Sequence, residues 1–153
     1  MKTIIGIWNY PGDKEVKATI REVARLLLKK YPFADILEPS EIAKEIKIIP
    51  DEGDFRLRFR IKNVEAGIDS SIHSYSKEAA PDFPDCQLII CATAYRGKTT
   101  DGLESLAENA SFRLVWTTPY VSEAETNQQF QDHLNNLKAQ HILDMIGQLG
   151  VLN

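Results

Sequence analysis

The sequence predicts an α/β protein, a three-layer αβα sandwich built on a mostly parallel sheet with one β-hairpin inserted. Three observations carry that prediction. A buried strand at residues 3–8, an amphipathic helix and a second short strand follow one another within about 35 residues, the βαβ signature of a parallel sheet. Residues 87–92 (Gln-Leu-Ile-Ile-Cys-Ala) form a continuous apolar run, the pattern of a central strand covered on both faces. Residues 55–62 alternate strictly between apolar and basic side chains, the period-two pattern of a strand with one buried face.

Each element has its own signal. Thr3-Ile4-Ile5-Gly6-Ile7-Trp8 reads as the first strand and residues 9–15 as a loop. Val16, Ile20, Val23, Leu27 and Tyr31 then follow helical spacing, with Ala24 and Leu28 widening the stripe. Lys17, Arg21, Glu22, Arg25 and Lys29 fill the opposite face, and Pro32 ends the helix through its restriction on Tyr31. Residues 33–37 form a short strand closed by Pro39, and Ser40 caps a short helix over 41–46. Turn chemistry at 50–54 leads into the alternating strand, with Phe55, Leu57, Phe59 and Ile61 on one face and Arg56, Arg58, Arg60 and Lys62 on the other. A turn at Lys62-Asn63, with Asn63 at positive φ, joins it to a strand over 64–69. Residues 70–85 are polar and Pro-punctuated, with room for one helix at 73–79. After the central strand come a helix over 101–109, a strand over 112–117 and a long C-terminal helix. That last helix starts from the capping-box spacing of Ser122-Glu123-Ala124-Glu125 and is stopped by Gly150. Its predicted core stripe is Phe130, Leu134, Leu137, Ile142, Met145, Ile146 and Leu149.

At 153 residues the chain is expected to form one domain over 1–153. A net charge of −4 and a pI near 5.4 lack the basic surplus of a general nucleic-acid binder, so nucleic acid is not an expected partner. No run reaches the roughly 20 apolar residues that cross a bilayer, so no membrane partner is expected. The N-terminal apolar run meets Asn9, Pro11 and Asp13 too soon for a signal peptide, which makes a reducing cytoplasm the expected compartment. Cys86 and Cys91, placed in one strand five residues apart, are expected on opposite faces as buried small apolar side chains. His133 and His141 lie too far apart for an i, i+4 metal chelate, and His73 stands alone in a polar loop. No nucleophile elbow or catalytic Cys–His pattern is present.

Sheets of this kind bind ligands in the loops beyond the carboxyl ends of their strands, here 9–15, 69–74, 93–100 and 117–122. The first of these occupies the place of a phosphate loop, G-x-x-x-x-G-K-[ST]. In that motif backbone N–H groups wrap the phosphates, the Lys neutralises them and the hydroxyl holds Mg²⁺. Four stretches bear on it: Thr19-Ile20-Arg21-Glu22-Val23-Ala24, Ile90-Cys91-Ala92-Thr93, Arg96-Gly97 and Ala139-Gln140-His141. On these the chain resembles a family of small bacterial P-loop NTPase-like proteins. The resemblance spans nearly the whole chain and implies a P-loop NTPase-like fold, a Mg-nucleotide ligand, and phosphate contacts from Asn9, Gly12 and Lys14. The loop itself departs from the family pattern. Asn9 stands where the first Gly belongs and Lys14 where the second does, with Glu15 at the Lys position and Val16 at the Ser/Thr position. A one-residue slip lets Lys14 serve as the phosphate lysine, but the hydroxyl is still missing. Asp13 and Glu15 also bring carboxylates to the helix N-terminus, where they satisfy its dipole and repel phosphate. A degenerate structural turn is the favoured reading of this loop.

Three other features carry candidate chemistry. Asp69, after the strand over 64–68, is either a Walker B-like Mg²⁺ ligand or a turn residue. Arg96-Gly97-Lys98-Thr99-Thr100 is either an anion clamp or a solvated loop with Thr99 or Thr100 as N-cap. The Arg56/Arg58/Arg60/Lys62 face either meets a polyanion or an acidic partner, or protects an edge strand. The favoured function is a degenerate P-loop NTPase-like binding or regulatory protein with weak or lost nucleotide hydrolysis, taking a nucleotide or other phosphate ligand. The alternative is a small nucleotide-dependent kinase or NTPase using Lys14, Arg96 and Lys98. A third reading is an interaction module, with a protein partner or a second copy held by the basic strand and the long C-terminal helix.

Overall fold

Strand and helix signals of the sequence resolve into six strands and three helices among residues 2–9, 13–39, 49–73, 83, 85–94, 98–122 and 127–152, the ones described by a computed structural model. The side chains of residues 13, 72, 73 and 98–100 are outside that description. In chain order the elements are β1 (Thr3–Trp8), α1 (Asp13–Lys30), β2 (Asp35–Glu38), β3 (Arg56–Ile61), β4 (Val64–His73), β5 (Leu88–Thr93), α2 (Lys98–Ala110), β6 (Arg113–Thr117) and α3 (Gln128–Leu149).

The strands form one mixed sheet in the order β2-β3-β4-β5-β1-β6. β1 pairs in parallel with β5 and β6, and β5 in parallel with β4. β3 runs antiparallel to both β4 and β2, so it is the single reversed strand. The first helix therefore carries the chain from β1 past β5, β4 and β3 to β2 at the far edge. The expected hairpin is β3–β4, with Ile61 opposite Val64 across a two-residue turn. Its positive φ falls on Lys62 (55°) and not on Asn63.

Alternation along the central strands divides the core into two layers. Ile5 and Ile7 of β1 and Leu88, Ile90 and Ala92 of β5 face α1 and α3, meeting Val16, Ile20, Val23 and Leu27 and then Ala139, Ile142 and Ile146. Each fully buried aliphatic side chain of this kind contributes about 1.5–3 kcal/mol before entropy is counted. Ile4, Ile89 and Cys91 face the other way, toward Leu103 and Ala107 of α2. Helices thus cover both faces of the sheet. Cys86 precedes β5 and joins the same cluster as Cys91, because the strand begins only at Leu88; the two thiols are buried on one face and not on opposite faces. Gly6 is required by close approach on that face, since a Cβ there would lie 2.5 Å from the Trp116 ring.

Several expected boundaries move. α1 begins at Asp13, so Lys14 and Glu15 belong to the helix and not to the loop. β4 continues to His73, which removes both the polar-loop setting of His73 and the start of a helix at 73; residues 74–79 lie outside the described residues, as does the short helix at 41–46. α2 begins at Lys98, which puts Thr99 and Thr100 in its first turn instead of at an N-cap. α3 begins at Gln128 behind Asn127, whose side chain accepts from the Phe130 N–H at 2.8 Å and whose role the Ser122 spacing had suggested for Ser122. Gly150 ends α3 in the left-handed region at φ 71°, as expected.

Candidate functional site

The chain leaves β1 into α1 on one face of the sheet and leaves the adjacent β5 into α2 on the other. Two neighbouring parallel strands whose connections part in this way open a crevice at their carboxyl ends, the place where sheets of this class bind ligands. Here the crevice lies beyond Trp8 and Thr93, which are register partners, and the Asn9 N–H extends the pairing by donating to Thr93 O at 2.9 Å. The Asn9–Gly12 and Arg96–Lys98 stretches leave from these two strand ends. Gly12, Arg96 and Gly97 lie outside the described residues, and Lys98 and Thr99 are placed by their backbone alone as the first residues of α2. Trp8 stacks on Trp116 of β6 with ring centroids 5.1 Å apart and planes 15° apart, forming an aromatic wall next to this opening.

The first turn of α1 is committed to α3. Lys14 Nζ donates to Gln128 Oε1 at 2.7 Å, and Asn135 Nδ2 donates to Glu15 Oε2 at 3.1 Å. Val16, at the position where a phosphate loop needs a hydroxyl, is fully buried in the core. Behind Asn135 stands Gln131, whose amide is satisfied on both ends. Its Nε2 donates to Tyr120 O at 2.8 Å and to Asn135 Oδ1 at 2.9 Å, while its Oε1 accepts from the Ser122 N–H and hydroxyl. This polar network was not among the expected features. The predicted α3 stripe put Phe130 inward, but Phe130 is 48% exposed, and the buried stripe is Gln131, Asn135, Ala139, Ile142 and Ile146. Its spacing of 4, 4, 3 and 4 residues was visible in the sequence. Counting only apolar residues hid it, since amides can be buried when every donor and acceptor is paired.

Asp69 lies within β4 and not at its end, opposite Arg56 on β3 and Cys91 on β5. Asp69 is buried, and its carboxylate accepts from the Ser71 N–H at 2.9 Å and lies 4.0 Å from an Arg56 terminal nitrogen. Octahedral Mg²⁺ wants several oxygen ligands with room for water. A carboxylate engaged in this way and an isopropyl group at position 16 do not fit a Mg-nucleotide site of the Walker type. Among the described residues no three His, Cys, Asp or Glu side chains converge as a metal set.

Half of the basic face of β3 is likewise committed. β3 is an interior strand, flanked by β2 and β4, so the edge-protection reading does not apply to it. Arg56 pairs with Glu38 at 2.9 Å and stacks over the Phe83 ring at 3.9 Å, and Arg60 pairs with Glu65 at 2.8 Å. Phe83 in turn covers Gly67, where a Cβ would lie 2.5 Å from the ring. Cross-strand carboxylates that the sequence pattern does not connect to the arginines thus pair two of the four cations of this face, Arg56 and Arg60.

A cleft of about 290 Å³ lies between α1 and α3 and is lined by Ala18, Arg21, Glu22, Arg25, Asp51, Asp132 and Asn135. Its cations are internally engaged: Arg25 bonds Glu22 at 3.0 Å and Asp51 at 2.7 Å, and Arg21 donates to Gly53 O at 3.1 Å. On the outer side of α3, the Tyr120 hydroxyl and His141 Nδ1 are 2.7 Å apart and the Lys138 ammonium sits over the Tyr120 ring at 4.6 Å. Burial holds the Lys138 pKa below its ordinary value. Among the described residues no helix is long and apolar enough to cross a membrane. No family model, curated protein or solved structure matches the chain.

Proposed function

We propose that this chain is a P-loop NTPase-like domain whose phosphate loop has degenerated, and that it acts as a binding or regulatory protein with weak or lost nucleotide hydrolysis. One observation carries the reading: the α1 residues that would hold phosphate and Mg²⁺ are engaged elsewhere, Lys14 by Gln128, Glu15 by Asn135 and Val16 by the core. Supporting it, β1 and β5 end at a crevice between oppositely directed connections, and α2 begins there with Lys98. An anion in that crevice would meet the amino end of α2 and leave α1 in its present contacts.

Mg²⁺-dependent ATP and GTP turnover should stay at background, with Lys14→Ala indistinguishable from wild type. Turnover that disappears on Lys14→Ala overturns the reading. In a thermal-shift panel of nucleoside mono-, di- and triphosphates and inorganic phosphate, a ligand at 100 times its dissociation constant adds about 2.7 kcal/mol of stability. Stabilisation that is lost on Lys98→Ala and kept on Lys14→Ala supports binding through the α2 side. The alternative, a nucleotide-dependent kinase or NTPase, draws on the exposure of Lys14, which a side-chain rotation could release from Gln128. It requires the opposite result in both assays.

A further inference from the structure

We propose that the open edge of β6 is a self-association surface, on which a second copy of this chain adds its own β6 antiparallel across a two-fold axis at Val115. Among the described residues β6 pairs with β1 on one side and with no strand on the other. The Arg113 N–H donates to Lys2 O at 2.8 Å. Strand alternation then directs the N–H and C=O groups of residues 113, 115 and 117 toward β1 and those of Leu114 and Trp116 outward.

That arrangement is self-complementary. With the axis at Val115, Leu114 of one copy stands opposite Trp116 of the other, and the reverse. Both outward residues of each strand thereby become hydrogen-bonded pairs, which exchange two bonds each in an antiparallel ladder. Leu114 and Trp116 lie on the same face of the sheet, so each of these pairs sets two apolar residues opposite one another, with the Trp116 ring itself turned over Gly6 of β1. An isologous interface needs this property, and an arbitrary peptide would have to supply it.

The two ends of the sheet are treated differently. β2 is four residues long, carries Asp35 and Glu38, and has a register shift between Ile36 and Glu38, all devices that blunt an edge. β6 keeps unbroken register and reads Arg-Leu-Val-Trp-Thr. Its one charge is turned inward: Arg113 Nε donates to Thr3 Oγ1 at 3.2 Å and a terminal nitrogen donates to Leu149 O at 3.2 Å. All five residues of β6 are partly exposed, against none in β5. The Arg113–Leu149 bond also ties the end of α3 to this edge. The groove of about 440 Å³ along α3, with Met145 and Leu149 as its apolar part and His141, Asp144 and Gln148 as its polar rim, would meet the same groove of the copy.

Sedimentation of the full chain over a dilution series tests the proposal. A reversible dimer is expected. Leu114→Pro deletes an outward N–H and no bond to β1, and proline is tolerated at such edge positions, so it should weaken the dimer at least about tenfold with the circular dichroism spectrum kept. Val115→Cys should oxidise rapidly to a covalent dimer, because directly opposed residues at the axis are about 4.5 Å apart at Cα, within disulfide reach. Thr117→Cys, two residues off the axis, should not. A chain that stays monomeric at its solubility limit overturns the proposal, as does one that captures an extended peptide at this edge instead. So does a dimer unaffected by Leu114→Pro, or one that crosslinks equally through Thr117→Cys. If Leu114→Pro fails to fold, the two cysteine variants decide.

Discussion

Asn135→Ala tests whether α3 holds the start of α1 through polar contacts. Asn135 is 2% exposed and makes two side-chain bonds, donating to Glu15 Oε2 and accepting from Gln131 Nε2. The bond to an ionised carboxylate is worth about 1.5–3 kcal/mol and the neutral one about 0.5–1.5 kcal/mol. Truncation therefore costs about 3 kcal/mol, and for a chain of this size that lowers Tm by about 6–12 °C. Asn136→Ala is the internal control, since its half-buried side chain reaches Glu22 only at 3.5 Å and otherwise accepts from the Gln140 amide one turn on, an exposed pair on the same helix; its cost should stay below about 1 kcal/mol. Urea titration followed by circular dichroism gives both values. A double-mutant cycle of Asn135→Ala with Glu15→Ala then isolates the inter-helix term, for which a coupling of at least about 0.5 kcal/mol is expected. Equal destabilisation by the two alanine variants, or a coupling indistinguishable from zero, would refute the claim that this network positions the helix start.

Other outcomes follow from the same contacts. Val16→Thr puts a hydroxyl where the phosphate loop would want one, but in a fully buried position; it should cost about 1–3 kcal/mol and confer no Mg²⁺-dependent nucleotide stabilisation in a thermal-shift assay. Gly6→Ala drives a methyl into the Trp116 ring and should lose about 1–3 kcal/mol, with a change in tryptophan fluorescence as the Trp8–Trp116 stack shifts. Burial, reinforced by the Glu65 carboxylate, pushes the Cys86 thiol up to about 12, so native protein should leave Cys86 unmodified by a thiol reagent at pH 8. Because that pKa is raised on folding, its stability contribution is whole below pH 9.0 and is lost as pH rises toward about 12; Cys86→Ala should flatten this alkaline limb in pH-dependent melts.

Local periodicity made much of the architecture legible before any tertiary information. Strict alternation at 55–62 returned as β3, the apolar run at 87–92 as fully buried β5, and the Val16–Leu27 stripe as the core face of α1. These patterns depend on which side of one element is apolar, and that is written in consecutive residues. The failure of the phosphate motif at Asn9, Glu15 and Val16 was equally a matter of residue identity.

Tertiary structure decided the rest, because it depends on which elements become neighbours. Strand order made β3 an interior strand and β6 an open edge, and no one-strand pattern distinguishes these. Carboxylates 38, 65 and 69 reached Arg56 and Arg60 only through cross-strand register, which paired two of the four cations of the basic stripe. Glu15 and Asn135 are 120 residues apart in sequence, and only the packing of α3 on α1 brings them within hydrogen-bonding distance. Residue identities thus set what the start of α1 lacks for phosphate chemistry, and the α1–α3 contact set what its side chains do instead.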